Sequence, residues 1–267
     1  MELTPLLASE FAKALEIAMP PPYQLPHWTD FSGKPYVPQP SLGEAPSTWA
    51  RRLGIHHQVP HASGLPGNQL DRGRVMAICQ DPAIDELHGY VCAMAWGGQH
   101  RVPGGKGSTN VKDAWSQRKA LSGILGNLRS GNLSREAAYR LFLDEKGRNK
   151  ISGLGPSFFT KLIYFFSRDV PAGQEPYIVD NGVLHRMTLL TGLPFFKKAS
   201  CGGYQACCWE IDQMMQLLVW PFPSPTGSMV EERLFAWELD AEPPRMNYRK
   251  AVMFDAYYRV GIPQADF

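Results

Sequence analysis

Ile151 to Met187 reads ISGLGPSFFTKLIYFFSRDVPAGQEPYIVDNGVLHRM, and the fold of the whole chain turns on it. Near its start, in Ser152-Gly153-Leu154-Gly155-Pro156, two glycines bracket one apolar residue, which suits a turn needing positive φ and close backbone approach. Pro156 stands where a first helical residue tolerates proline, so a helix is predicted to start near it. Upstream, Ser134 to Glu145 (SREAAYRLFLDE) places Ala138, Leu141 and Phe142 at helical spacing behind a Ser cap. The local unit is helix, glycine hairpin, helix. Such a hairpin points the amides of its second helix outward at the positive end of the helix dipole, which makes a phosphate site.

Downstream of the second helix comes a short apolar run, Tyr177-Ile178-Val179, then Asp180-Asn181-Gly182-Val183 and Arg186. Together these residues resemble the helix-hairpin-helix of the base-excision DNA glycosylases, and within that superfamily the 8-oxoguanine-glycosylase-like branch. In those proteins the hairpin reads apolar-x-Gly-apolar-Gly, and a short apolar run after the second helix ends in the catalytic Asp. The clear resemblance covers about 37 of the 267 residues. A Gly-x-Gly hairpin alone is a weak signal, since any helical turn can use one; its pairing with the downstream apolar-apolar-Asp-x-x-Val segment is far more specific.

The resemblance implies that Asp180 is the catalytic carboxylate and that the amides after Gly153 and Gly155 hold the DNA backbone. Asp180 also reads as a helix N-cap before Asn181 to Leu190, a role compatible with catalysis. One departure stands out. Lyase-type members, the 8-oxoguanine enzymes among them, place a nucleophilic Lys two positions after the second hairpin glycine, and Ser157 occupies that position here. By position alone this implies a monofunctional enzyme. Lys161, one helical turn later and 19 residues before Asp180 (180 − 161), is the residue that could supply the missing amine and an AP-lyase activity. Its ordinary reading is contact with phosphate or solvent at the rim.

Composition permits this function without requiring it. A chain of 267 residues with 44% hydrophobic content can bury a sizeable core. Net charge is only +2 with pI about 8.2, so DNA binding must come from a local cluster rather than a bulk basic field. Five cysteines, an odd number with no N-terminal signal peptide ahead of them, argue for a reducing compartment. Cys201, Cys207 and Cys208 lack a fourth cysteine nearby, which excludes an iron-sulfur cluster and leaves small buried hydrophobes beside Trp209. His56, His57 and His61 complete no ligand spacing, so no metal and no other cofactor is expected. No apolar run reaches the length of a membrane span.

Elsewhere, Leu3 to Met19 reads as an amphipathic helix stopped by Pro20-Pro21-Pro22, and residues 20 to 69 as a Pro-, Gly- and His-rich irregular wrap. Two core helices are expected between Leu70 and Trp96, the second opening at Asp81-Pro82. Gly97 to Asn110 reads as a loop whose Arg101 and Lys106 either contact DNA or simply face solvent, ahead of one helix from Val111 to Leu128. Gly-Gly-Lys-Gly-Ser-Thr within it lacks the order of a nucleotide-phosphate loop. Further helices are expected at Tyr204 to Val219, Met229 to Leu239 and Asn247 to Val260.

The resemblance implies a mostly α, two-lobed fold with the active site in the cleft. Residues 1–69 pack with the C-terminal lobe, 70–170 form the central lobe with the hairpin, and 171–267 carry the Asp180 segment and C-terminal helices. It implies a cytoplasmic, nucleoid-associated monomer that acts on double-stranded DNA, flips a modified base out of the stack and hydrolyses its N-glycosidic bond. The DNA contacts would come from Gly153, Gly155, Ser157, Arg101 and Lys106. The base is an oxidised purine such as 8-oxoguanine in repair, or a hypermodified one such as glucosylated hydroxymethylcytosine in antiviral defence. A hairpin that grips DNA without cutting it is the alternative, a binding module.

Overall fold

The computed structural model describes residues 26–33, 36, 39, 43–97, 106–191, 200–218 and 225–237, with the backbone alone at 26 and 106–110. The described residues are mostly α-helical and contain no β-strand; a single antiparallel bridge joins Leu143 and Asn149. The proposed helices at Leu3 to Met19 and Asn247 to Val260 lie outside the described residues.

The central element is α8, Pro156–Phe166. Its last eight residues, Phe159 to Phe166, are all buried, the mark of a helix enclosed on every side. Four helices surround it: α3 (Arg72–Gln80), α4 (Glu86–Trp96), α6 (Arg118–Arg129) and α7 (Arg135–Arg140). Aromatic contacts fix the packing. Phe142 stacks on Phe159 with ring centroids 4.9 Å apart, Tyr139 meets Phe159 edge-on at 4.9 Å, and Trp96 meets Phe165 at 5.0 Å. Each such ring contributes about 1.5–3 kcal/mol by leaving water.

The caps explain where the helices begin. Asp71 accepts the Arg74 amide before α3, Asp85 the Leu87 amide before α4, and Ser134 the Ala137 amide before α7. The Asp85 cap places the start of α4 at Glu86, several residues after the Asp81-Pro82 opening read from sequence. In place of one helix over Val111 to Leu128 there are two, α5 (Lys106–Ser116) and α6, broken at Gln117 with φ −102° and ψ 20°. Gln117 donates to the Asp113 carbonyl and accepts the Ser152 amide at 3.3 Å, so the break also ties the glycine hairpin down.

Helix α7 ends at Arg140 rather than continuing to Glu145. Asp144 stops it: its carboxylate accepts the amides of Lys146 and Arg148, folding 141–150 into a tight turn that passes through Gly147 at φ +72°. The segment read as an irregular wrap holds two short helices, α1 (Pro26–Gly33) and α2 (Pro46–Arg52). Helix α2 packs on α4, and Trp115 donates to Gln58 at 2.9 Å, so residues 43–69 sit against the central helices. After α8 the chain passes through a turn at Gly173 (φ +73°) and continues without a helix to α9 (Asn181–Thr191), which packs on α1 and α11 (Gly227–Ala236). Helix α10 (Cys201–Leu217), begun by a Ser200 cap, joins α7 to α11.

Candidate functional site

At the hairpin, Gly153 has φ +77°, the left-handed conformation that the sequence pattern predicts, and the Leu154 amide closes the turn on the Ile151 carbonyl at 3.2 Å. Gly155 differs. With φ −79° and ψ 171° it is the extended N-cap of α8, its carbonyl accepts the Phe158 and Phe159 amides, and a Cβ there would meet nothing within 4 Å. The second glycine is not required by backbone strain; it leaves the N-terminal end of α8 uncovered.

One helical turn into α8, Thr160 and Lys161 reach the next element. The Thr160 hydroxyl donates to the Pro156 carbonyl at 2.8 Å and accepts the Val179 amide at 3.3 Å, which anchors the extended segment just before Asp180. Lys161 Nζ donates to the Ser157 carbonyl at 3.0 Å and lies 3.6 Å from Asp180 Oδ2. Its side chain is only 8% exposed. Lys161 therefore is not a rim residue touching solvent, as its ordinary sequence reading held; it is an enclosed ammonium facing a carboxylate. Gly97 makes room for it, because a Cβ there would lie 2.9 Å from Lys161 Cδ. A buried charge is tolerated only with compensation of this kind.

Asp180 does two things at once. Oδ1 accepts the Val183 amide at 3.0 Å, capping α9, while Oδ2 is the oxygen turned toward Lys161. A second charged group, built from α3 and α11, is announced by no sequence spacing. Arg72, buried on α3, pairs with Glu231 and lies 3.5 Å from Glu232 Oε1, with its guanidinium 4.9 Å from the Tyr164 ring centroid and 5.4 Å from that of Trp96. Tyr36 donates to Glu232 Oε2 at 2.8 Å. Burial pushes the Glu231 carboxyl up from its ordinary range, Arg72 draws it back, and the charges of Asp180 and Glu232 raise it again. Asp180 thus faces an ammonium, and its charge adds to those that raise the buried Glu231 carboxyl.

That arrangement sets a stability test. Arg72→Met is expected to cost about 3–5 kcal/mol at neutral pH, because it leaves Glu231 buried and unpaired. Without Arg72 the folded carboxyl titrates above its unfolded value of about 4.5, so the folded state keeps a proton that the unfolded chain has lost. The penalty accordingly grows as pH rises from that value toward the folded pKa. Denaturant melts should show a smaller loss at pH 5 than at pH 7.5, and adding Glu231→Gln should recover much of it. A loss independent of pH, unrelieved by the second change, would contradict this account.

Of the other sequence candidates, Arg101 lies outside the described residues, and Lys106 opens α5 with its side chain outside them. Cys207 and Cys208 are buried and Cys201 partly so. Among the described residues no group of three or more His, Cys, Asp or Glu is arranged to hold a metal ion, and no helix is long and apolar enough to cross a membrane.

The sequence model of one protein family, described as "Putative 8-oxoguanine DNA glycosylase OGG-like protein", matches residues 35–235, three quarters of the chain. The chain belongs to this OGG-like family. The match spans the hairpin, Lys161 and Asp180 together with the Arg72 cluster, and membership suggests DNA glycosylase activity and a DNA substrate. No curated protein and no solved structure matches the OGG-like chain.

Proposed function

We propose that the OGG-like protein is a DNA N-glycosylase that extrudes a modified base from duplex DNA and breaks its N-glycosidic bond at Asp180 and Lys161. The observation that carries this reading is the enclosed pair itself, Lys161 Nζ 3.6 Å from Asp180 Oδ2, one turn from the glycine-opened end of α8. As the bond breaks the sugar becomes oxocarbenium-like, and a carboxylate held beside it stabilises that charge. The amine supplies what Ser157 lacks. The Lys161 amine attacks C1′ while the base departs with the electron pair of the glycosidic bond; the proton that the nitrogen gives up goes to the departing base, leaving the sugar bonded to nitrogen and Asp180 charged throughout. Water attack assisted by Asp180, the monofunctional route, is the other outcome to be tested.

The substrate class proposed is an oxidised purine, in keeping with the family description. We place the cleft between two lobes, with α1, α9, α10 and α11 in one and the helices around α8 in the other. The packing of residues 43–69 on α4 and α5 favours counting that stretch with the central lobe. Incubating the protein with duplexes carrying 8-oxoguanine, glucosylated hydroxymethylcytosine, alkylated purines or mismatched adenine, then identifying freed base by mass spectrometry, tests the reading. Release of an oxidised purine is expected. Duplex binding with no base released from any of them would make the protein a binding module instead.

The hairpin has its own test. Gly155→Asp adds a carboxylate at an N-cap with open space around it, where Asp is a preferred residue, so thermal stability should hold or rise slightly. The same charge occupies the site offered to phosphate. Duplex affinity is expected to fall about tenfold or more for every sequence, with a shallower salt dependence. Unchanged affinity across salt concentrations would remove the hairpin from the DNA contact.

A further inference from the structure

The Lys161–Asp180 pair is more open on its carboxylate side, where the Asp180 side chain is 20% exposed against 8% for Lys161. Another cation stands on that side, the half-buried Arg186 of α9. Gly182 makes room for it. A Cβ on Gly182 would lie 2.9 Å from Arg186 Nη1 and 3.3 Å from Asp180 Oδ1, so the space of one methyl group separates the guanidinium from the carboxylate. The stem of Arg186 is held as well, because Nε donates to the Trp237 carbonyl at 2.8 Å, just past the end of α11. Among the described residues that is its one bond: no carboxylate pairs with Arg186, and its Nη groups meet no acceptor.

A half-buried guanidinium has given up part of its water, and with both Nη groups unmet its planar fork is set for an oxyanion. We infer that Arg186 binds a phosphate of the extruded nucleotide, one of the two that flank the sugar attacked at Lys161 and Asp180. This rests on the glycosylase reading and deepens it. Attack requires C1′ about 3–3.5 Å from the Lys161 amine, and hence close to Asp180 Oδ2. The phosphates on either side of that sugar then fall around the carboxylate, where Arg186 offers the unpaired charge. The contact carries no information about the base; it holds the sugar against Asp180 once the nucleotide has left the stack. The glycine hairpin grips the duplex backbone, whereas Arg186 grips the nucleotide drawn out of it.

The test uses a duplex with a tetrahydrofuran abasic site, which keeps the sugar ring and both phosphates and has no base to release. Replacing the flanking phosphates one at a time by an uncharged methylphosphonate should weaken wild-type binding about tenfold at one of the two positions. Arg186→Gln should bind the unmodified abasic duplex about tenfold more weakly than wild type, yet lose nothing further at that same position. Its affinity should also depend less on salt, by about one in the slope of log K against log salt, and Arg186→Lys, which keeps the charge, should retain the slope and part of the affinity. An arginine that only ties α9 to Trp237 predicts otherwise: a lower melting temperature for Arg186→Gln, an unchanged slope, and equal methylphosphonate losses in wild type and variant. That result overturns the inference, as does wild-type affinity indifferent to both methylphosphonates, an outcome that needs no variant to fold. Base release is scored separately. Wild type that frees no base from any duplex overturns the glycosylase reading, whereas release with no Arg186 effect on phosphate overturns this inference alone.

Discussion

Asp180→Asn is expected to bind duplex DNA as the wild type does and to release base about 10²- to 10⁴-fold more slowly. The substitution isolates charge from architecture. Asn is as good an N-cap as Asp, so the bond from the Val183 amide to Oδ1 and the start of α9 should survive. What disappears is the negative oxygen facing Lys161 at 3.6 Å. An amide neither offsets a cationic sugar nor takes a proton from water. Single-turnover base release under saturating protein gives the chemical step, and titration of the same duplex gives binding. Activity within a few-fold of wild type would reduce Asp180 to its capping role, and a matched loss of binding would point to misfolding instead.

How far the sequence reaches is instructive at these residues. The Asp180 cap, the turn at Gly153 and the start of α8 at Pro156 are local matters, settled by residues within one helical turn, and their signatures are legible in the chain. The state of Lys161 is not. Helix α8 is apolar almost all round, so its pattern offers no polar face from which to tell a rim lysine from an enclosed one. Only the Val179 amide bonded to Thr160, and the missing side chain at Gly97, show why the ammonium points inward at Asp180. Arg72 and Glu231 are 159 positions apart, so nothing local flags either of them. The break at Gln117 is hidden for a similar reason: its partner is Ser152, far along the chain.

Borohydride reduction during turnover should trap the wild-type protein covalently on DNA, and Lys161→Gln should form no adduct. An amine that displaces the base gives a ring-opened Schiff base, which reduction fixes as a stable secondary amine; attack by water leaves nothing to reduce. Gln is preferred to Ala here because it fills most of the space against Gly97 and can still donate to Asp180, where a truncated side chain would open a cavity beside the carboxylate. Base release by Lys161→Gln should drop at least as far as for Asp180→Asn, while duplex affinity holds, since Nζ is bonded within the protein to the Ser157 carbonyl and not at the surface. Mass spectrometry of the trapped species, digested to peptides, should place the DNA remnant on Lys161. If the wild type frees base and leaves an intact abasic site with no adduct, and Lys161→Gln keeps most of that activity, the reaction runs through water. Ser157 then marks a monofunctional enzyme, and the Lys161–Asp180 pair serves to orient the carboxylate rather than to attack the sugar.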